Sequence, residues 1–169
     1  PRVATTYEFG QSRNGQSYIL MEFVEGTGLN TLINSKDPIL NGNRLTLIRQ
    51  MAEAIQAVHN AGFMHRDICP RNFIVAPNGK SLKLIDFGLT LPAKKEYMLP
   101  GNRTGTPLYM APEIVRRRPT DHRVDIFAFG VTAYLLCALE YPWQNIDTTG
   151  RAALQHDTRE PTPIQQLVP

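Results

Sequence analysis

Three residues invite a chemical reading first: Asp67, Asn72 and Asp86. Asp67 is the third residue and Asn72 the last of the segment His65-Arg66-Asp67-Ile68-Cys69-Pro70-Arg71-Asn72, and Asp86 begins Asp86-Phe87-Gly88. Between them, Phe73-Ile74-Val75 and Leu82-Lys83-Leu84-Ile85 flank Asn78-Gly79, a strong signal for a β-hairpin. A carboxylate and an amide oxygen at the two feet of one hairpin can converge on one hard cation, which prefers oxygen ligands. A second carboxylate on the same loop as the amide can face a hydroxyl while the amide faces the metal. Moving a phosphoryl group from a nucleotide to an alcohol needs this set: metal on the phosphates, an aligned hydroxyl and a group to take its proton.

The elements needed to hold these groups are legible too. Residues 44–60 carry apolar side chains at Ile48, Met51, Ala52, Ile55 and Val58, the spacing of one helix face, and Gly62 suits the left-handed residue that ends it. Residues 124–139 are apolar nearly all round and predict a helix inside the core, with Thr120 or Asp121 at its start. Residues 7–10 and 17–24 predict two strands joined through Asn14-Gly15, the second composed as a buried strand. A short helix is expected over 29–33.

A third segment, Gly105-Thr106-Pro107-Leu108-Tyr109-Met110-Ala111-Pro112-Glu113, follows the first two. Each motif alone is weak; the three in this order, with helix, loop and hairpin between them, are specific. On these residues the chain resembles the eukaryotic-type protein kinase catalytic domain of the Ser/Thr class, from about Tyr7 to Trp143. The resemblance implies an α+β fold: a mainly helical large lobe over residues 25–169, truncated at its end, with two small-lobe strands and the hinge retained in residues 1–24. It implies ATP and Mg²⁺ as cofactors and a protein substrate. Asp67 would be the catalytic base, Asn72 and Asp86 the metal ligands, and Arg66 the partner of a phosphorylated activation segment, with Tyr97 or Thr104 as the modified residue. Phe87 would stack on His65, and Glu113 would anchor the end of that segment. Met21 would stand behind adenine, Glu22 and Val24 would offer it hinge backbone, and Ile74 would form its floor. Asp125 would lie in the buried helix under the catalytic loop.

Two departures from the family pattern matter. No glycine-rich phosphate loop and no strand lysine occur in the 169 residues: the earliest lysine is Lys36, and Gly26-Thr27-Gly28 lacks a third glycine and follows the hinge. The chain is therefore expected to begin inside a longer protein, and this segment alone to be weak or inactive. Cys69 stands where Ser/Thr kinases carry a lysine against the transferring phosphate. Arg71, as in many tyrosine kinases, is placed to supply that charge, whereas Thr106 fits the Ser/Thr pattern. Cys69 supports a rival reading as a binding or scaffold module, and a small-molecule phosphotransferase of related fold is a third.

Composition narrows the rest. At 169 residues the chain fits one domain, and 42% hydrophobic with 20% charged residues excludes a disordered or fibrous chain. Basic residues are scattered apart from Arg116, Arg117 and Arg118, read as a solvated loop, so the net charge of +3 does not argue for nucleic acid. Cys69 and Cys137 form no CxxC, which excludes a thiolate zinc site and suits a reducing compartment, by default the cytoplasm. The apolar stretch 126–139 is shorter than the ~20 residues that span a bilayer, and no signal peptide is expected. His122 and His156 read as surface residues, and 151–169, with three prolines, as loosely structured.

Overall fold

The computed structural model describes residues 2–101, 104–143, 156 and 158–168. In chain order it contains β1 (Thr6–Gln11), β2 (Ser17–Met21), β3 (Thr27–Gly28), α1 (Leu29–Asn34), α2 (Arg44–Asn60), β4 (Phe63–Met64), β5 (Phe73–Val75), β6 (Leu82–Leu84), β7 (Leu91–Pro92), α3 (Pro112–Val115) and α4 (Arg123–Ala138). Strands β1 and β2 form one hairpin, β3-β5-β6 a three-stranded sheet, and β4-β7 a short ladder.

Helix α2 is the scaffold. It buries Leu47, Gln50, Met51, Ala54, Ile55 and Val58, each large apolar side chain contributing about 1.5–3 kcal/mol. This face is turned slightly from the expected one: Ile48 is half-buried and Ala52 exposed. Gln50 sits within the face because its amide closes a polar account. Its Nε2 donates to Lys80 O and its Oε1 accepts from Leu82 N, both at 2.9 Å, which fastens the β5-β6 hairpin to α2. Gly62, at φ +82°, turns the chain out of the helix into β4.

Helix α4 crosses the core with Val131, Leu135 and Leu136 buried, and ends at Leu139 in the left-handed conformation. Its N-cap residue is His122, whose side chain makes no capping bond. Asp121, one residue earlier, accepts from Arg123 N at 2.9 Å and takes over that role.

Three expectations are corrected. Strand β2 is exposed along its whole length, not buried. Phe9 is 83%, Ile19 66% and Phe23 92% exposed, because a strand is covered only when a second layer packs on it, and among the described residues the hairpin has none. The end of the chain is fastened rather than loose over residues 158–168: Trp143 Nε1 donates to Arg159 O at 3.0 Å, Tyr134 OH to Thr162 O at 2.8 Å, and Thr162 N to Pro142 O at 2.7 Å. Residues 151–155, 157 and 169, part of the same expectation, lie outside the described residues. His156 is buried, its Nδ1 2.8 Å from Met110 O and its ring 4.3 Å from that of Trp143.

Candidate active site

The loop that follows β4 is held from below by a single carboxylate. Asp125, in the first turn of α4, is fully buried and accepts from His65 N at 2.8 Å and Arg66 N at 2.7 Å, while His59 Nε2 lies 2.8 Å away. These bonds pin Arg66 at φ +69°, a conformation non-glycine residues rarely adopt. From this turn Arg66 reaches the Thr104 hydroxyl and Asp67 the Thr106 hydroxyl.

Asp67 is buried and saturated with donors. Oδ1 accepts from Thr106 N at 3.0 Å and Thr106 Oγ1 at 2.7 Å; Oδ2 accepts from Arg71 at 2.9 Å and Asn72 Nδ2 at 3.1 Å. Burial pushes its pKa up, but the bonds from Thr106, Arg71 and Asn72 together outweigh burial and hold it below the ordinary value. A lowered pKa means this carboxylate adds stability at neutral pH and loses that contribution as pH falls through the folded value, below ~3.9. Arg71→Ala is expected to raise the Asp67 pKa toward that ordinary value, the effect being muted because the Arg71 side chain is 56% exposed and screened. A carboxyl ¹³C titration reads this directly; an unmoved Asp67 titration contradicts the assigned cause.

Asn72 Nδ2 also donates to Asp67 O at 2.7 Å. With the amide nitrogen fixed toward Asp67, Oδ1 points the other way. Asp86 is brought to the same place by the backbone: Ile85 N donates to Asn72 O at 2.8 Å across the foot of the hairpin. Asp86 sits at φ +63° and its Oδ1 accepts from Gly88 N at 3.0 Å. Next to it, Phe87 meets His65 edge-on with ring centres 5.0 Å apart.

Asp86 lines a cleft of about 580 Å³ together with Met21, Glu22, Val24, Ile74 and Phe87. Every residue expected around adenine is thus on one wall or the other. Arg66 turns away from the cleft and donates to Thr104 Oγ1 at 2.7 Å. Glu113 lies in the first turn of α3. Cys69 is buried, and burial raises its pKa, which keeps it a thiol.

Two site features escaped the sequence. The Glu22 side chain ties three segments together: its carboxylate takes the Lys83 ammonium and the Thr5 N–H, the latter at 3.0 Å, and these bonds lower its pKa to about 2. The partners are 61 and 17 residues away in sequence, so no local pattern announces them. Gly26, at φ +148°, is required by close approach, since a Cβ there would stand 2.1 Å from Val75 O. Its glycine serves the β3-β5 pairing and has nothing to do with phosphate.

The chain matches the protein kinase domain family over residues 1–166 and belongs to that family. It is 33% identical over 96% of its length to the serine/threonine-protein kinase pkn3 of Myxococcus xanthus and 34% identical over 90% to Pkn1 of the same organism. It is 29% identical over its whole length to the serine/threonine-protein kinase PknA of Mycobacterium tuberculosis. The chain spans 31%, 22% and 40% of those three proteins. Among the described residues no helix is long and apolar enough to cross a membrane.

Proposed function

We propose that this chain contributes the catalytic centre of an enzyme that transfers the γ-phosphoryl group of ATP to Ser or Thr hydroxyls of a protein. The observation that carries the reading is the meeting of Asp67 and Asn72 at 3.1 Å beside Asp86, with the cleft opening onto Asp86. In this reading residues 1–24 belong to the small lobe and hinge, and residues 25–169 to the large lobe. Adenine lies between Met21 and Ile74, and meets the backbone of Glu22 and Val24.

A hard divalent ion fits what the residues offer. Among the described residues no three His, Cys, Asp or Glu side chains cluster as a metal site. Magnesium needs no such cluster, since it takes one or two protein oxygens and fills the rest with phosphate and water. Asn72 Oδ1 and Asp86 are those oxygens. When bound, the ion supplies charge neutralisation at the transferring phosphoryl group. Asp67, ionised and fixed by four donated hydrogen bonds, aligns the acceptor hydroxyl and takes its proton. Thr106 sets the orientation of Asp67 from the peptide side. Arg71, 2.9 Å from Asp67 and more than half exposed, carries the positive charge that Cys69 lacks. Two unpaired thiols fit a reducing, cytoplasmic setting.

The test is transfer of labelled phosphate from ATP to protein by the complete polypeptide that contains this chain, in the presence of Mg²⁺. Label on Ser or Thr is expected. Transfer to a metabolite in preference to any protein, or no transfer at all, overturns the reading.

A further inference from the structure

Behind the wall proposed to receive adenine stands a charge pair that the transfer chemistry does not use. Lys83 is the middle residue of β6. It is the cross-strand partner of Ile74 on β5, so the two side chains leave the same face of the sheet. Ile85, two residues further along, leaves that face too. Ile74 and Ile85 both line the cleft. A lysine placed between two cleft isoleucines has solvent or the nucleotide as its ordinary outlets. Here its ammonium goes instead to the Glu22 carboxylate.

Glu22 is held from a second side as well. Its other carboxylate oxygen accepts from Thr5 N at 3.0 Å, and its own N donates to Thr5 O at 2.9 Å. Thr5 ends a short run that lies along β6. Val3 bridges Leu84 in parallel, Leu84 N donates to Arg2 O at 2.7 Å, and Ala4 N donates to Leu84 O at 2.9 Å. The circuit therefore closes: Lys83 to Glu22, Glu22 to Thr5, and residues 2–5 back to Leu84, the neighbour of Lys83. The pair is partly shielded from water, the Lys83 side chain being 31% and the Glu22 side chain 16% exposed. The lowered Glu22 pKa keeps the carboxylate charged at neutral pH. Backbone bonds alone hold residues 2–5 to β6. What Lys83 adds is a fixed place for Glu22, the residue whose backbone is proposed to meet adenine.

We propose that Lys83 is a positioning residue for the nucleotide: through its ion pair with Glu22 it fixes the gap between the hinge backbone and the Ile74 floor that receives the purine. It meets no phosphate and takes no part in the transfer. The proposal rests on the phosphotransfer reading and deepens its nucleotide site.

The experiment titrates the complete polypeptide calorimetrically with two ligands, Mg·ATP and adenosine. Lys83→Met removes the ammonium and keeps the length of the side chain. It is expected to weaken both ligands by the same factor, about fivefold, the upper range for a partly exposed pair. KM for ATP should rise with it, while kcat at saturating ATP stays at the wild-type value, the signature of lost ground-state binding. Adenosine makes the result specific because it is uncharged. A lysine that only attracts the anionic nucleotide would cost affinity for ATP and none for adenosine. Lys83→Arg restores the pair and is expected to bind both ligands as wild type does. Glu22→Gln keeps an acceptor for Thr5 N–H but removes the charge. It is expected to match Lys83→Met, with the double variant no worse than either single one, and it carries the same comparison if Lys83→Met misfolds by circular dichroism. Adenosine affinity unchanged in the folded single variants, or losses that add in the double variant, overturn the proposal. Because binding is read without turnover, the two readings part cleanly. Adenosine binding that depends on Lys83, with no phosphate transfer, removes the phosphotransfer reading alone. Phosphate transfer with adenosine affinity indifferent to Lys83 removes this one alone.

Discussion

Asp67→Asn in the complete polypeptide is expected to lower kcat for protein phosphorylation by a factor of about 10²–10⁴, the usual contribution of a positioned general base, while nucleotide binding stays as it was. The asparagine keeps the shape of the side chain, so Thr106 N and Oγ1, now 3.0 and 2.7 Å from Oδ1, retain an acceptor. What disappears is the negative charge facing the hydroxyl. Asp86→Ala is expected to act differently. Asp86 lines the cleft and is the carboxylate proposed to hold the metal, so its removal is expected to weaken Mg·ATP binding as well as turnover. Isothermal titration with ATP and Mg²⁺, run beside a phosphorylation assay, separates the two signatures. Turnover close to wild type in either variant removes the assigned chemistry. Identical nucleotide-binding defects in both variants remove the division of labour between them.

Much of this site could be read from residue order because its parts are local. The Asp67–Asn72 contact is made within one loop, and the hairpin that carries Asp86 alongside is declared by Asn78-Gly79. Helix α2 was legible for the same reason: a 17-residue amphipathic segment repeats its signal several times, and its ends fall where the sequence places them. What stayed hidden is either too short to have a period or joined over long sequence distances. Strands β3, β4 and β7 are two residues each, and they exist only because β5 or one another stands beside them. Val3 pairs with Leu84, and Arg2 and Ala4 bond the same residue, with no local pattern to predict it. His156 was misread because a lone histidine in a proline-rich stretch carries no burial signal; Trp143 and Phe127, far away in sequence, supply its pocket. Strand β2 shows the reverse error. Its composition describes what a strand of this kind can bury, and burial depends on a layer that composition does not contain.

The largest effect on stability is expected at Asp125, a residue that touches no substrate. Removing it leaves two backbone N–H groups, of His65 and Arg66, with no acceptor in a place closed to water. Breaking a buried charged contact of this kind costs about 3–5 kcal/mol, and in a domain of this size each kcal/mol lowers Tm by about 2–4 °C. Asp125→Ala is therefore expected to melt at least about 6 °C below wild type by the same conversion. Asp125→Asn is expected to gain little back, because its amide nitrogen must face a backbone donor that the second carboxylate oxygen now satisfies. His59→Leu, which removes only the third partner, should cost much less, since both backbone bonds persist. Function should fail before the fold does. The positive φ of Arg66 is held by these bonds, and once they are gone the turn relaxes toward an ordinary conformation and carries Asp67 out of reach of Thr106. At a temperature where Asp125→Asn is still folded by circular dichroism, kcat should already be reduced while ATP binding at the distant Met21 wall is retained. A variant that keeps full turnover and melts within about 2 °C of wild type, less than one kcal/mol on the same scale, would show that the loop holds its shape without the carboxylate beneath it.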